Sequence, residues 1–165
     1  MKSFQAGRNR YPEHATGWIV IFSPETWKIA ESIKYTHAAF PPHSLRQARR
    51  MRGGDLIFPY ITKDRIFTGI LMASGGCFID DTSDLFAPAG TYSIILPVAP
   101  YLVLSDSEAV PASSLLADLK IFYGTRAMKS PYGVLRNSPL QLRTSDSRAL
   151  FSLLTTETEE DISIN

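Results

Sequence analysis

The chain has 165 residues, a net charge of +1, and 44% hydrophobic, 11% aromatic and 20% charged residues. That length predicts one domain with its own core, and no run approaches the ~20 apolar residues of a membrane span. The single cysteine, Cys77, excludes an internal disulfide and fits a reducing cytoplasm.

The first residues, Met1-Lys-Ser-Phe-Gln-Ala-Gly-Arg8, hold no apolar run and are not expected to be a secretory signal. Residues 1–16 read as a polar, irregular extension. Trp18 to Phe22 are all apolar and predict a buried strand. Ser23 is placed to cap a helix whose first turn holds Pro24. That helix is expected over 24–33, with Trp27, Ala30 and Ile33 on one side. Phe40-Pro41-Pro42 makes 35–43 a loop. Ser44 then caps a second helix that runs to about Arg52 and ends at Gly53-Gly54.

Strands follow. Residues 55–62 are apolar but contain Pro59, which implies an edge or a bulge. Lys63-Asp64 suits a hairpin turn. Residues 65–73 return, with Gly69 marking a sharp bend. Residues 79–90 form a long loop carrying Leu85 and Phe86 in polar company. Residues 91–104 make a long strand interrupted by Pro97 and Pro100. Pro111 opens a helix with Leu115, Leu116 and Leu119 inward, followed by a loop, a short strand near Val134 and a last helix near 146–154. Strands broken by Pro or Gly, with helices between them, predict a curved or barrel-like antiparallel or mixed sheet with helices outside, an α+β domain over 17–154. In 155–165, Glu157, Glu159, Glu160 and Asp161 stand with no Lys or Arg, so this stretch reads as an acidic tail or linker to a further domain. The rest of the chain is mildly basic, which suits nucleic acid or an ordinary solvated surface.

Two constellations could bind a ligand. In Ser44-Leu-Arg-Gln-Ala-Arg-Arg-Met-Arg52, Leu45, Ala48 and Met51 face inward and Arg46, Arg49 and Arg50 outward. Three guanidinium groups on one face form either a phosphate rail or a solvated helix face. Trp27, Tyr35, Phe40 and Phe86 lie outside any strand pattern. They either stack on a flat ligand or cap the barrel as core. The three histidines, His14, His37 and His43, and one remote thiol do not make a metal set. Asp80, Asp81 and Asp84 either bind a divalent ion or accept hydrogen bonds from a base, or are solvent-facing turn formers, which is the preferred reading. No nucleophile elbow, P-loop, dinucleotide fingerprint or Cys-x-x-Cys is present. No cofactor is expected, and the pattern favours a binding module over an enzyme.

Taken in order, the pieces resemble an EVE domain, of the PUA-like superfamily and related to YTH domains. The matching residues are Trp18 to Phe22 with Ser23-Pro24-x-x-Trp27, the arginine-rich helix ending Gly53-Gly54-Asp55, and Phe67-Thr-Gly69-Ile70. Leu119-Lys-Ile-Phe122, Tyr132-Gly133 and Arg136-Asn-Ser138 are similar to the family's closing segment. The resemblance covers about 17–154. It implies a small open or distorted β-barrel flanked by helices, with a pocket for one flipped, modified base. It also implies a role as the specificity domain of a modification-dependent restriction or defence protein, with duplex DNA as ligand and an effector domain or partner beyond the tail. On that pattern Ser23 and Trp27 line the pocket. Tyr35, Thr36, His37, Phe40, Asp84, Leu85 and Phe86 supply the remaining walls and polar groups, and Arg46, Arg49, Arg50, Lys129 and Arg136 hold the backbone. Where the family shows Trp-Gly after the first helix, this chain has approximately Thr36-His37-Ala38. An RNA-modification reader and an ASCH-like hydrolase of modified nucleosides are the alternatives. The hydrolase would need a lysine or carboxylate aimed into the pocket.

Overall fold

Strand β1 (Gly17–Phe22) is apolar throughout because both of its faces are covered. Successive side chains alternate, so Ile19 enters one core while Trp18, Val20 and Phe22 enter another. A computed structural model describes residues 10–123 and 130–160. The other strands are β2 (His37–Phe40), β3 (Leu56–Ile61), β4 (Ile66–Phe67), β5 (Gly69–Ala73), β6 (Phe78–Ile79), β7 (Ile94–Val103), β8 (Val110–Pro111) and β9 (Leu140–Gln141). The helices are α1 (Pro24–Ser32), α2 (Leu45–Ala48) and α3 (Thr144–Glu160).

The main sheet runs β2-β7-β5-β3-β1-β9, with β4, β6 and β8 attached to its flanks. It is mixed: β1 and β3 are parallel, in register from Gly17↔Leu56 to Phe22↔Ile61, and the other pairs are antiparallel. The architecture is α+β, a curled half-barrel flanked by helices. α3 covers one face, where Leu150, Phe151 and Leu154 meet Ile19, Leu56, Phe58 and Tyr60. On the other face Ala30 of α1 and Ala48 of α2 share a core with Trp18, Val20, Phe22, Ile57, Leu71 and Leu96. Each large apolar side chain so buried contributes about 1.5–3 kcal/mol.

The curl has a local cause. β3 pairs with β5 through Leu56 and Ile57 but with β4 through Tyr60 and Ile61. Pro59 falls between the two partners and has no N–H to offer; its carbonyl accepts from Thr68 N at 3.4 Å. Gly69 follows with φ +151, and a Cβ there would run into the Leu102 carbonyl oxygen. Of the two expectations for Pro59, the bulge describes it; β3 is central, not an edge. The expected turn at Lys63-Asp64 is present, with Lys63 and Arg65 at φ 64 and 54.

Several elements differ from expectation. Residues 35–43 contain β2, a four-residue edge strand defined by its pairing with β7, and four residues are too few to show a period. The arginine helix is short: a 3-10 turn at Pro42–Ser44 leads into α2, which stops at Ala48. Arg49 is the C-cap of α2, and a last helical turn continues to Met51, whose N donates to Ala48 O at 3.1 Å. The chain then turns, and Arg52 N donates to the Asp55 carboxylate at 3.0 Å. β7 runs through Pro97 and Pro100, with its register shifting against Ile70 and Leu71. Pro111 belongs to β8, and 3-10 turns at Ala112–Leu115 and Lys120–Phe122 replace the helix expected after it. The second turn is held by Asp146, whose carboxylate accepts from Lys120 N at 2.7 Å and Ile121 N at 2.9 Å. The strand expected near Val134 is a 3-10 turn, Pro131–Arg136. Residues 10–16 pack on α3: the Tyr11 hydroxyl lies 2.7 Å from Ser147 Oγ and its ring meets Phe151 edge-on at 5.5 Å.

Candidate nucleic-acid interface

The parallel pair decides where a site can form. Because β1 and β3 run in the same direction, their C-terminal ends deliver Phe22, Ser23 and Thr62 to one rim. Thr62 N donates to Phe22 O at 2.9 Å there. α1 starts at this rim, fixed by a reciprocal cap in which Thr26 N donates to Ser23 Oγ at 3.1 Å and Ser23 N to Thr26 Oγ1 at 2.9 Å. Backbone hydrogen bonding at this helix start, then the Ser23 side chain and Lys63, hold the Glu25 carboxyl below its ordinary pKa.

A cavity of about 290 Å³ opens at the rim, lined by residues from five segments. Its aromatic walls are Phe22, Phe40, Phe86 and Tyr92. Its polar groups are Ser23, Thr26, Thr62, Arg136 and Ser138, and Ile21, Ala39 and Pro41 complete it. The volume is at the small end of the ~300–1,000 Å³ usual for ligand sites. Ser138 is held in place: its Oγ accepts from Ile21 N at 3.1 Å and its carbonyl from Ser44 Oγ at 2.9 Å. Among the described residues the lining holds no carboxylate and no lysine, and Arg136 is its one cation.

Among the residues expected here, Ser23, Phe40 and Phe86 line the cavity, and so does Arg136, which was assigned to the backbone. Trp27 does not line it. It meets Phe22 edge-on at 5.1 Å and lies 5.1 Å from Tyr35. Tyr35 follows Lys34 in the left-handed region, at φ 56 after 58, where the helix ends and Tyr35 N donates to Ala30 O at 2.7 Å. Burial pushes the Tyr35 phenol above its ordinary pKa, and the Glu31 carboxylate adds to the shift. Thr36 is exposed and its hydroxyl lies 2.9 Å from Nδ1 of the half-buried His37. Leu85 packs against the same core as Phe86, while Asp84 is exposed. The sequence did not mark Phe22, Thr26, Thr62, Tyr92 or Ser138 as cavity residues, nor the smaller Ile21, Ala39 and Pro41. Tyr92, an aromatic just after Gly90 at the end of the long loop, is the one that sequence could have marked.

A second cavity, of about 400 Å³, lies at the opposite end of the same strand pair. It is lined by His14, Thr16, Trp18, Arg49, Arg50, Arg52, Asp55 and Gln141. Asp55 is 6% exposed and its carboxylate is fully engaged. It accepts from Trp18 Nε1 at 3.0 Å, Thr16 N at 3.2 Å and Arg52 N at 3.0 Å. Arg46 is exposed on α2 and lines neither cavity. Lys129 lies outside the described residues. Among the described residues there is no group of three or more His, Cys, Asp or Glu that could hold a metal ion, and no helix long and apolar enough to cross a membrane.

No protein-family model matches the sequence, and no curated protein matches it. Solved structures do match. The YTH domain of the Zygosaccharomyces rouxii MRB1 protein, in complex with N6-methyladenosine RNA, superposes with a TM-score of 0.61 at 16% identity, over 88% of this chain and 90% of that one. The YTH domain of Mmi1, in complex with RNA, gives 0.60 at 11% identity, over 94% and 87%. A protein from Agrobacterium tumefaciens gives 0.58 at 13% identity, over 87% and 93%. At these identities the likeness is one of fold: the chain has the fold of a YTH domain.

Proposed function

We propose that this chain is a non-enzymatic nucleic-acid-binding module that reads a modified base, which it takes out of a strand and holds in the aromatic cavity. The observation that carries this reading is the cavity itself, walled by Phe22, Phe40, Phe86 and Tyr92 with serine and threonine hydroxyls at its rim. Extrusion costs a few kcal/mol and is least for an unpaired base. Stacking offsets it with about 1–3 kcal/mol per base. The hydroxyls can read a base edge, and Arg136 at the mouth can hold the flanking phosphate. A lining without carboxylate or lysine among the described residues favours a binder over an ASCH-like hydrolase.

The ligand we favour is RNA, because two of the similar YTH domains were solved with RNA, one of it carrying N6-methyladenosine. The second reading is duplex DNA, with the chain as the specificity domain of a restriction or defence protein. The EVE resemblance of Ser23-Pro24-x-x-Trp27 and Gly53-Gly54-Asp55 supports it. The test is fluorescence anisotropy, at stated salt, over RNA and DNA strands that differ only in one modified base. A preference for one modification, lost in Tyr92→Ala, with Arg136→Gln weakening modified and plain strands alike, is the expected result. Equal binding across the whole panel would sink the proposal, and competition between RNA and duplex DNA separates its two forms.

A further inference from the structure

The second cavity holds three arginines where the aromatic cavity holds one. Arg49, Arg50 and Arg52 line it with His14, and none of the three arginines is in an ion pair there. Arg50 Nη1 donates to Gln47 Oε1 at 3.2 Å, which leaves its charge uncompensated. The one acid in the lining, Asp55, is buried and already accepts three N–H donors. The three arginines are exposed, and among the described residues the Arg50 bond to Gln47 is the one side-chain hydrogen bond that their guanidinium groups make. One fork satisfies a carboxylate. Three, with an imidazole, suit the larger set of oxygens on a phosphate.

The two cavities are joined by chain. Ser138 lines the base cavity and Gln141 the basic one, three residues along the β9 segment. Beside that segment, Ser44 bonds to Ser138 O, and α2 leads from Ser44 past the exposed Arg46 to Arg49. Arg136, Arg46 and the Arg49–Arg50–Arg52 group thus follow one another from the first cavity to the second. At ~3.3 Å per residue, the separation is about 10 Å along 138–141 and about 16 Å from Ser23 back to Trp18. At the ~3.4 Å charge spacing of one strand, that is about three to five nucleotides.

We propose that the basic cavity is a phosphate subsite, which takes a backbone phosphate of a strand about three to five nucleotides from the base held in the aromatic cavity. The source of the phosphate rests on the reading of the chain as a base reader; the anion site itself does not. The experiment compares strands of 3 and 13 nucleotides, modified and plain at the central base, on the native chain and on the Arg49→Gln/Arg52→Gln variant. Both residues are exposed, so a melting curve is expected to show the variant folded. The 13-mers are expected to bind the variant about 10-fold more weakly at low salt, modified and plain alike, with a salt slope reduced by about 0.7 per phosphate lost. The 3-mers, too short to reach, are expected to be unchanged. On the native chain, inorganic phosphate is expected to shift the Arg49 and Arg52 Nε–Hε resonances. Equal weakening of both lengths, or of neither, overturns the subsite. Resonance shifts with phosphate but no length effect overturn the strand as its source. Loss of the modified-over-plain ratio, with the length effect intact, overturns only the base reading.

Discussion

At their C-terminal ends the parallel strands β1 and β3 deliver Phe22, Ser23 and Thr62 to an aromatic cavity. At their N-terminal ends, Trp18 of β1 and Asp55, the residue before β3, line a second cavity with three arginines. The first site is made from the core. Phe22, Phe40 and Phe86 are buried members of the cluster that also holds α1 and α2 in place, so binding and stability there rest on the same side chains. The second site is made from surface residues, and its arginines are exposed. Only its floor is structural. A ligand preference set by the first site is therefore costly to change by substitution, whereas the second can be altered with little effect on folding.

The largest expected effect tests that one structural element of the basic end. Asp55→Ala leaves the buried Trp18 indole N–H and two backbone N–H groups without their acceptor. The Trp18 donor is the buried one of the three and costs about 1–3 kcal/mol when unsatisfied, and the two part-buried backbone donors add less, because water can reach them. Urea titration of the native and variant chains measures the loss. Asp55→Asn, which keeps one carbonyl oxygen, is expected to lose less. If Asp55→Ala melts like the native chain, the floor of the basic cavity is not what fixes Trp18 and the start of β3.

At the aromatic end the next effect is on binding. Tyr92 is half-buried and lines the cavity without belonging to a strand. Its replacement by alanine is expected to cost about 1–3 kcal/mol of affinity for the modified strand, the worth of one stacked ring. Trp27→Ala is expected to act differently, because Trp27 does not line the cavity and instead packs on Phe22, which does. It should lower stability and weaken binding in proportion, with the modified-to-plain ratio retained. A selective loss of that ratio in Trp27→Ala would place the indole in the ligand's path.

The local features were legible in the sequence, and the long-range ones were not. The strand–Ser-Pro–helix corner is present as read, because β1, the cap and the first turn of α1 are all set by residues within a few positions of each other. Gly69 and Pro59 marked the bend for the same reason: each carries its constraint in its own backbone. The cavity itself was only half readable. Ser23, Phe40 and Phe86 stood out as a cap and as aromatics outside any strand pattern. Thr62 reaches the rim only because β1 and β3 pair in parallel, and Ser138 only because its segment is tied to Ile21 and Ser44. Nothing within one sequence encodes those pairings locally. The arginine rail was legible in part. Helical bonding does continue through Arg49, Arg50 and Met51, but Arg49 and Arg50 line the cavity at the N-terminal ends of β1 and β3 together with Arg52, while Arg46 lines neither cavity.

A smaller effect concerns the corner itself. Ser23→Ala removes one half of the reciprocal cap while leaving Thr26 in place. The expected cost is about 1 kcal/mol, a fall of roughly 2–4 °C in Tm for a chain of this size. Calorimetry reads it directly. Threonine at the same position keeps the acceptor and should recover most of the loss.

The smallest expected effect is confined to alkaline pH and concerns the other ring neighbour of Trp27. Tyr35 lies 5.1 Å from that ring, and burial raises its phenol pKa, with Glu31 adding to the shift. Burial raises Tyr60 as well, against the opposing charge of Arg65. A group whose folded pKa is raised binds its proton more tightly when folded. Its stabilising contribution is therefore complete below the unfolded value of about 10 and is lost as pH climbs through the folded value. Melting curves between pH 8 and 11 should thus be flat at first and then decline. In Tyr35→Phe the decline should be shallower, because one of the two buried phenols no longer ionises, while stability below about pH 9 changes little. An unchanged decline would mean that Tyr60 carries the alkaline sensitivity alone, and that the Tyr35 ring is held against Trp27 without excluding water from its hydroxyl.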